Sequence, residues 1–276
     1  HWAARTAALR QSSLALTYVQ PVDEVAPWLD FPASLPAEYL AERDRQAQQI
    51  VDDALGVVVD AAADTREFPV DSLVLAGPKM PTLIDLSKDA TMMVCGRRGV
   101  GALRGLLLGS TSSALLHHAH CPVAIVHDDG EGGHDADRPA TAPVAVGIDG
   151  SPASELATSI AFDEASRRGV ELVAIHTWMN RADVAFAANP DDLATQADEE
   201  LAQRLAGWCE RYPDVSVRRV FDQDRPAHRL LEESSDAQLL VVGSRGRGGF
   251  TGLLLGSVSS AVTQAARIPV IVARQS

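Results

Sequence analysis

The stretch "VVGSRGRGGFTGLLLGSVSSAV" runs from Val241 to Val262, and "VCGRRGVGALRGLLLGSTSSAL" runs from Val94 to Leu115. The two share a spacing. In the later one, Gly243 is followed after two residues by Gly246 and after nine more by Gly256 and Ser257. In the earlier one the same positions are Gly96, Gly99, Gly109 and Ser110. Moving away from these runs, the match continues. Gly109–Asp128 lies over Gly256–Gln275 without a gap, and Ala3–Val19 lies over Ala161–Thr177. The chain is therefore two copies of one domain. We place the first at 1–127 and the second at 143–276. Residues 128–142, "DDGEGGHDADRPATA", are polar, acidic and without apolar periodicity, and read as a linker.

The second copy gives the fold class. "APVAVGID", "VELVAIHTW", "VSVRRVF", "AQLLVVGS" and "PVIVAR" read as strands. Between them lie helical stretches. One is expected to start at Ser151 as N-cap with Pro152 behind it and to end at Gly169; another is stopped by Pro213. Strands alternating with helices predict an α/β domain: a parallel five-stranded sheet with helices on both faces, Rossmann-like. Ligands of such sheets sit at the carboxyl ends of the strands, where strand order reverses. Asp149 and the glycine run both leave strand ends there.

The glycine run is neither of two familiar loops. A P-loop needs a lysine that is absent here, and the third glycine of a GxGxxG pattern falls one residue late. Its chemistry still suits an anion. Glycines allow close approach of backbone to a ligand. Gly256 and Ser257 open a helix whose first amides and dipole favour phosphate. Ser257 and Ser259, with Ser110 and Ser112 in the first copy, offer hydroxyls; Arg245 and Arg247 offer charge. The alternative, an exposed turn with an ordinary serine cap, is disfavoured because both copies keep the spacing while neighbouring residues drift.

Other features bound the reading. A chain of 276 residues with 46% hydrophobic residues supports two cores. A net charge of −13 argues against nonspecific nucleic-acid or membrane partners. Three cysteines without a CxxC suggest neither a disulfide framework nor a zinc site. No apolar run reaches membrane length and no leader is legible, so a cytoplasmic setting is expected. "HHAHC" (His117–Cys121) has no counterpart in the second copy and reads as polar residues suited to a helix C-terminus rather than a metal cluster.

The duplicated G-x2-G-x9-G-[ST] motif, with "VGIDGSPASELA" and "LLVVGSRGRGGF", resembles the ATP-binding universal stress proteins, in the tandem form found in actinobacteria. The resemblance implies ATP with Mg2+ as cofactors. It implies a nucleotide-facing Asp149 within Gly147–Ser151, and backbone contact to adenine from Thr177, or Val19 in the first copy. It implies Val242 and Cys95 as pocket walls. Gly243, Gly246, Arg247, Gly256, Ser257, Val258 and Ser259 would hold phosphates. Gly96, Gly99, Gly109, Ser110, Thr111 and Ser112 would do so in the first copy. The implied role is a nucleotide-dependent regulator in stress or dormancy, with little or slow hydrolysis, at most a weak ATPase. It would act on a protein partner, with room for a homodimer of tandem chains. The alternatives are an ATP-consuming enzyme of similar fold, whose SGGxDS or HIGH signatures are absent, and an interaction module that has lost nucleotide.

Two expectations concern architecture. The first copy has no counterpart of "PVAVGIDGSPASELAT", the central strand, its Asp and the helix start; we read that segment as lying before His1 in the native protein. The last strands of the two copies each follow a proline, Pro122 or Pro269, which suits an edge. They are expected to pair antiparallel, since an apolar edge left bare invites aggregation.

Overall fold

The computed structural model describes residues 1–20, 37–63, 67–97, 108–127, 138–177, 190–222, 225–247 and 254–274. The chain divides into two compact units, His1–Leu86 and Ser87–Ser276.

The first unit contains α1 (Trp2–Arg10), β1 (Leu14–Gln20), α2 (Ala37–Ala62), β2 (Val70–Ala76) and α3 (Lys79–Leu86). β1 and β2 form a parallel pair in register from Leu14 opposite Val70 to Gln20 opposite Ala76. α1 stops at Gln11, whose φ of 52° places it in the left-handed region. That position matches Gly169 of the second copy, which has φ 65°. The left-handed cap is part of the repeated backbone, and only the second copy meets it with glycine.

The second unit holds β3 (Met93–Gly96), α4 (Ser110–His118), β4 (Val123–Val126), β5 (Val144–Gly147), α5 (Pro152–Arg168), β6 (Leu172–Thr177), α6 (Pro190–Arg211), β7 (Val217–Asp222), α7 (Pro226–Glu233), β8 (Leu239–Gly243), α8 (Ser257–Ala265) and β9 (Val270–Ala273). α5 begins as its sequence requires: the Ser151 hydroxyl accepts from the Ser154 amide, Pro152 occupies the first turn, and Gly169 ends the helix.

The strands form one seven-stranded sheet in the order β3-β4-β9-β8-β5-β6-β7. Five of them, β9-β8-β5-β6-β7, are the parallel sheet of the second copy. Consecutive residues Val144, Ala145 and Val146 are all fully buried, as are Leu239, Leu240 and Val241, so both faces of the central strands are covered. Phe162 of α5 is fully buried against Trp208 and Tyr212, with ring centroids 6.0 and 5.7 Å away.

In the second copy β5 sits between β8 and β6. The repeat makes β1 and β2 the counterparts of β6 and β7, and β3 and β4 the counterparts of β8 and β9. β1 pairs with β2 in one sheet, and β3 with β4 in the other. β4 and β9 pair antiparallel, with Val123 opposite Val272, Ala124 opposite Ile271 and Ile125 opposite Val270. This is the pairing expected from the two proline-led edge strands.

Candidate functional site

β5 is bonded to β6 on one side and β8 on the other, so the chain crosses over in opposite directions from its carboxyl end. Asp149 stands at that switch point. Its Oδ1 accepts the Ser151 amide at 2.9 Å, and its Oδ2 accepts the Arg247 amide at 3.2 Å. The Ser151 hydroxyl donates to the Arg245 carbonyl at 3.0 Å while capping α5. One carboxylate and one serine thus tie the β5–α5 turn to the glycine loop. Gly246 is glycine because of this tie: a Cβ there would collide with Asp149 Oδ2. Gly150 takes φ 72°, and a Cβ on it would overlap the guanidinium groups of Arg204 and Arg247.

The loop is closed by three bonds that recur in both copies. Ser244 donates its amide to the Ala273 carbonyl at 2.7 Å, and Arg97 donates to Val126 at 2.9 Å. Gly256 donates to the Ser244 carbonyl, and Gly109 to the Arg97 carbonyl, both at 2.8 Å. The Ser259 hydroxyl donates to the Gly243 carbonyl at 2.5 Å, and the Ser112 hydroxyl to the Gly96 carbonyl at 2.6 Å. Ser259 and Ser112 are buried and hold the ends of their loops together. Residues 98–107 and 248–253, Gly99 among them, lie outside the described residues.

Gly256 caps α8 without a side-chain bond, and the first intrahelical bond is from the Ser260 amide to the Gly256 carbonyl. The amides of Ser257, Val258 and Ser259 form the open end of that helix, with Ser257 exposed. α4 starts in the same way behind Gly109, with the Ser113 amide bonded to the Gly109 carbonyl and Ser110 exposed beside half-buried Thr111. Gly147 and Thr177 are half-buried at the ends of β5 and β6, and Val242 is 3% exposed one residue before Gly243. His176 places its Nδ1 2.7 Å from the Ile148 carbonyl, holding the ends of these two strands together.

Gly243 is also required by packing. A Cβ there would stand 2.8 to 2.9 Å from the backbone of Ala153 and Ser154, so its missing side chain admits the start of α5. The two loop arginines also divide. Arg247 turns to Gly150, whereas the charge of Arg245, after burial, pushes the Arg274 guanidinium down from its usual value. Arg204, in the middle of an amphipathic helix far from the motif, had no local signal.

A model of the universal stress protein family matches residues 1–127 and 141–274. A universal stress protein of Mycobacterium tuberculosis is 52% identical over 278 residues, covering 100% of this chain and 91% of the relative. One from Mycolicibacterium smegmatis is 49% identical over 279 residues, covering 99% and 91%. The chain belongs to the universal stress protein family. A crystal structure of a universal stress protein from Archaeoglobus fulgidus superimposes with a TM-score of 0.72 at 20% identity, covering 100% of this chain and 92% of that one, and shares the fold.

In this universal stress protein the residues matched to the first site fall in both compact units. Val19 is buried in the first unit, at 5% exposure. Cys95, Gly96, Gly109, Ser110, Thr111 and Ser112 are in the second. Burial pushes the Cys95 thiol up to about 11, against a smaller opposing effect from Ser112, so at neutral pH it is a protonated small hydrophobe. His117 sets its Nδ1 2.6 Å from the Ser113 carbonyl, within its own helix. No helix among the described residues is long and apolar enough to cross a membrane.

Proposed function

We propose that this universal stress protein binds ATP in its second copy and acts as a nucleotide-dependent regulator of a protein partner in stress or dormancy, not as a fast enzyme. The observation that carries the reading is the junction at Asp149. There one carboxylate holds the β5–α5 turn and the glycine loop together, at the switch point of the sheet, while the open amides of α8 begin at the far end of the same loop. That combination supports a phosphate seat. Thr177 supplies backbone to adenine, Val242 walls the pocket, and Gly246, Gly256, Ser257 and Val258 take the phosphates. A Mg2+ ion would be carried by the phosphates and would neutralise their charge, with the Asp149 carboxylate and the exposed Ser257 hydroxyl as the oxygen donors that would hold it. The repeat supports an equivalent phosphate seat in the first copy through Gly96, Gly109, Ser110, Thr111 and Ser112, with Cys95 as its wall. It also supports domains at 1–127 and 143–276 with a linker between.

Slow hydrolysis follows from how Asp149 is used. Its two oxygens serve as anchors for backbone amides, which suits a positioning group better than a base. Titration calorimetry with MgATP tests the proposal. Gly246→Glu puts a side chain against Asp149 and a second carboxylate at the seat, and second-copy affinity is expected to fall at least tenfold, about 1.4 kcal/mol. Turnover of the wild-type chain is expected to stay far below about 10 per second. Unchanged affinity in a folded variant would overturn the phosphate-loop reading.

A further inference from the structure

We propose that Arg204 pairs with Arg247 as a clamp that selects a polyphosphate tail over a single phosphate; this rests on the ATP reading above and specifies its ligand. Arg204 comes from α6 and Arg247 from the glycine loop. Both converge on Gly150, the residue after Asp149. A Cβ on Gly150 would overlap Arg204 Nη1, lie 2.7 Å from Arg204 Cζ, and lie 2.5 Å from Arg247 Nη2. Two guanidinium groups from distant parts of the chain therefore crowd one point, where their like charges repel.

The acidic groups nearby offset this only weakly. Glu155 Oε1 stands 4.0 Å from Arg204 Nη1, on a side chain that is 48% exposed. The Asp149 oxygens accept the amides of Ser151 and Arg247. The Arg204 side chain remains 33% exposed, open to a ligand. A guanidinium presents a planar fork matched to phosphate oxygens, and two forks meeting at one point match an anion of high charge. A triphosphate carries enough anionic oxygens for both the α8 amides and the two arginines. A cyclic or simple monophosphate can satisfy only one of these seats. Gly150 adds the space: its positive φ and missing side chain let both arginines close over the turn.

The test is calorimetry on the full chain with MgATP, AMP, cyclic AMP and inorganic tripolyphosphate, comparing the wild type with Arg204→Met and Arg204→Lys. Methionine keeps most of the apolar stem and removes the charge. The expected result is at least a tenfold loss for ATP and tripolyphosphate in Arg204→Met, less than a twofold change for AMP and cyclic AMP, and partial recovery in Arg204→Lys. If the wild type binds ATP and Arg204→Met binds it equally well, or loses ATP and AMP alike, the clamp is overturned and the ATP reading stands. If the wild type binds tripolyphosphate in an Arg204-dependent way but no adenine nucleotide, the clamp stands and the ATP reading falls. If it binds none of the four probes, both fall.

Discussion

Gly243 and Gly246 stand three residues apart in one loop and are glycine for different reasons. At Gly246 the obstacle is the Asp149 carboxylate, which belongs to the proposed site. At Gly243 it is the backbone of Ala153 and Ser154, which belongs to the packing of α5. Backbone cannot swing aside as a flexible side chain does, so Gly243→Ala must shift α5 away from the sheet. The expected cost is about 1–3 kcal/mol, the usual range for overpacking. Denaturant unfolding monitored by the Trp208 environment checks it; an unchanged midpoint would mean that the helix start yields freely. Gln11 makes the reverse point. It accepts the left-handed conformation that Gly169 occupies at the matching place, so the repeated backbone tolerates a side chain there.

α4 and α8 are the elements through which each glycine loop reaches the rest of the protein. Each begins at the loop's last glycine and sends a buried serine back to the carbonyl of its first. Each ends against the other copy. Arg97 donates to the Gln264 carbonyl near the C-terminal end of α8 at 3.1 Å, and Arg274 donates to the Leu116 carbonyl of α4. A cation at a helix C-terminus is favourable on dipole grounds, and here the cation comes from the opposite copy. The serine bond is the testable part. Ser259→Ala leaves the Gly243 carbonyl without its hydroxyl donor in a buried setting and should cost about 1–2 kcal/mol. Thermal unfolding reads this directly. No loss would show that the backbone ladder alone closes the loop.

The antiparallel seam between β4 and β9 organises the larger unit. It joins the last strands of both copies into one sheet, within the unit Ser87–Ser276. Val123, Ala124, Ile125, Val270, Ile271 and Val272 are all fully buried, so the seam runs through the middle of the core. Ile271→Pro removes an amide from a strand with bonded neighbours on both sides. Hydrogen exchange is expected to show slow amides in 123–126 and 270–273 in the wild type, and both sets accelerating together in the variant. Acceleration of 270–273 alone would contradict a shared seam.

Much of this was legible from residues near one another in the chain. Ser151, Pro152 and Gly169 bound α5 as their cap chemistry demands, because capping is a bond between neighbours. The two-copy organisation and the alternation of strands and helices in the second copy followed from spacing and periodicity. The β4–β9 pairing followed from two proline-led apolar strands that each needed a partner. What was not legible arises where elements cross. Arg204 reads as one more charge on an amphipathic helix, and only the packing of α6 over the β5–α5 turn brings it to Arg247. The bond that Ser259 makes to the Gly243 carbonyl and the packing of Gly243 on the start of α5 likewise carry no local signal. Periodicity and turn chemistry act over a few residues and are written locally. The convergence of side chains depends on the angle and distance at which separate elements pack, and no short stretch of sequence records that.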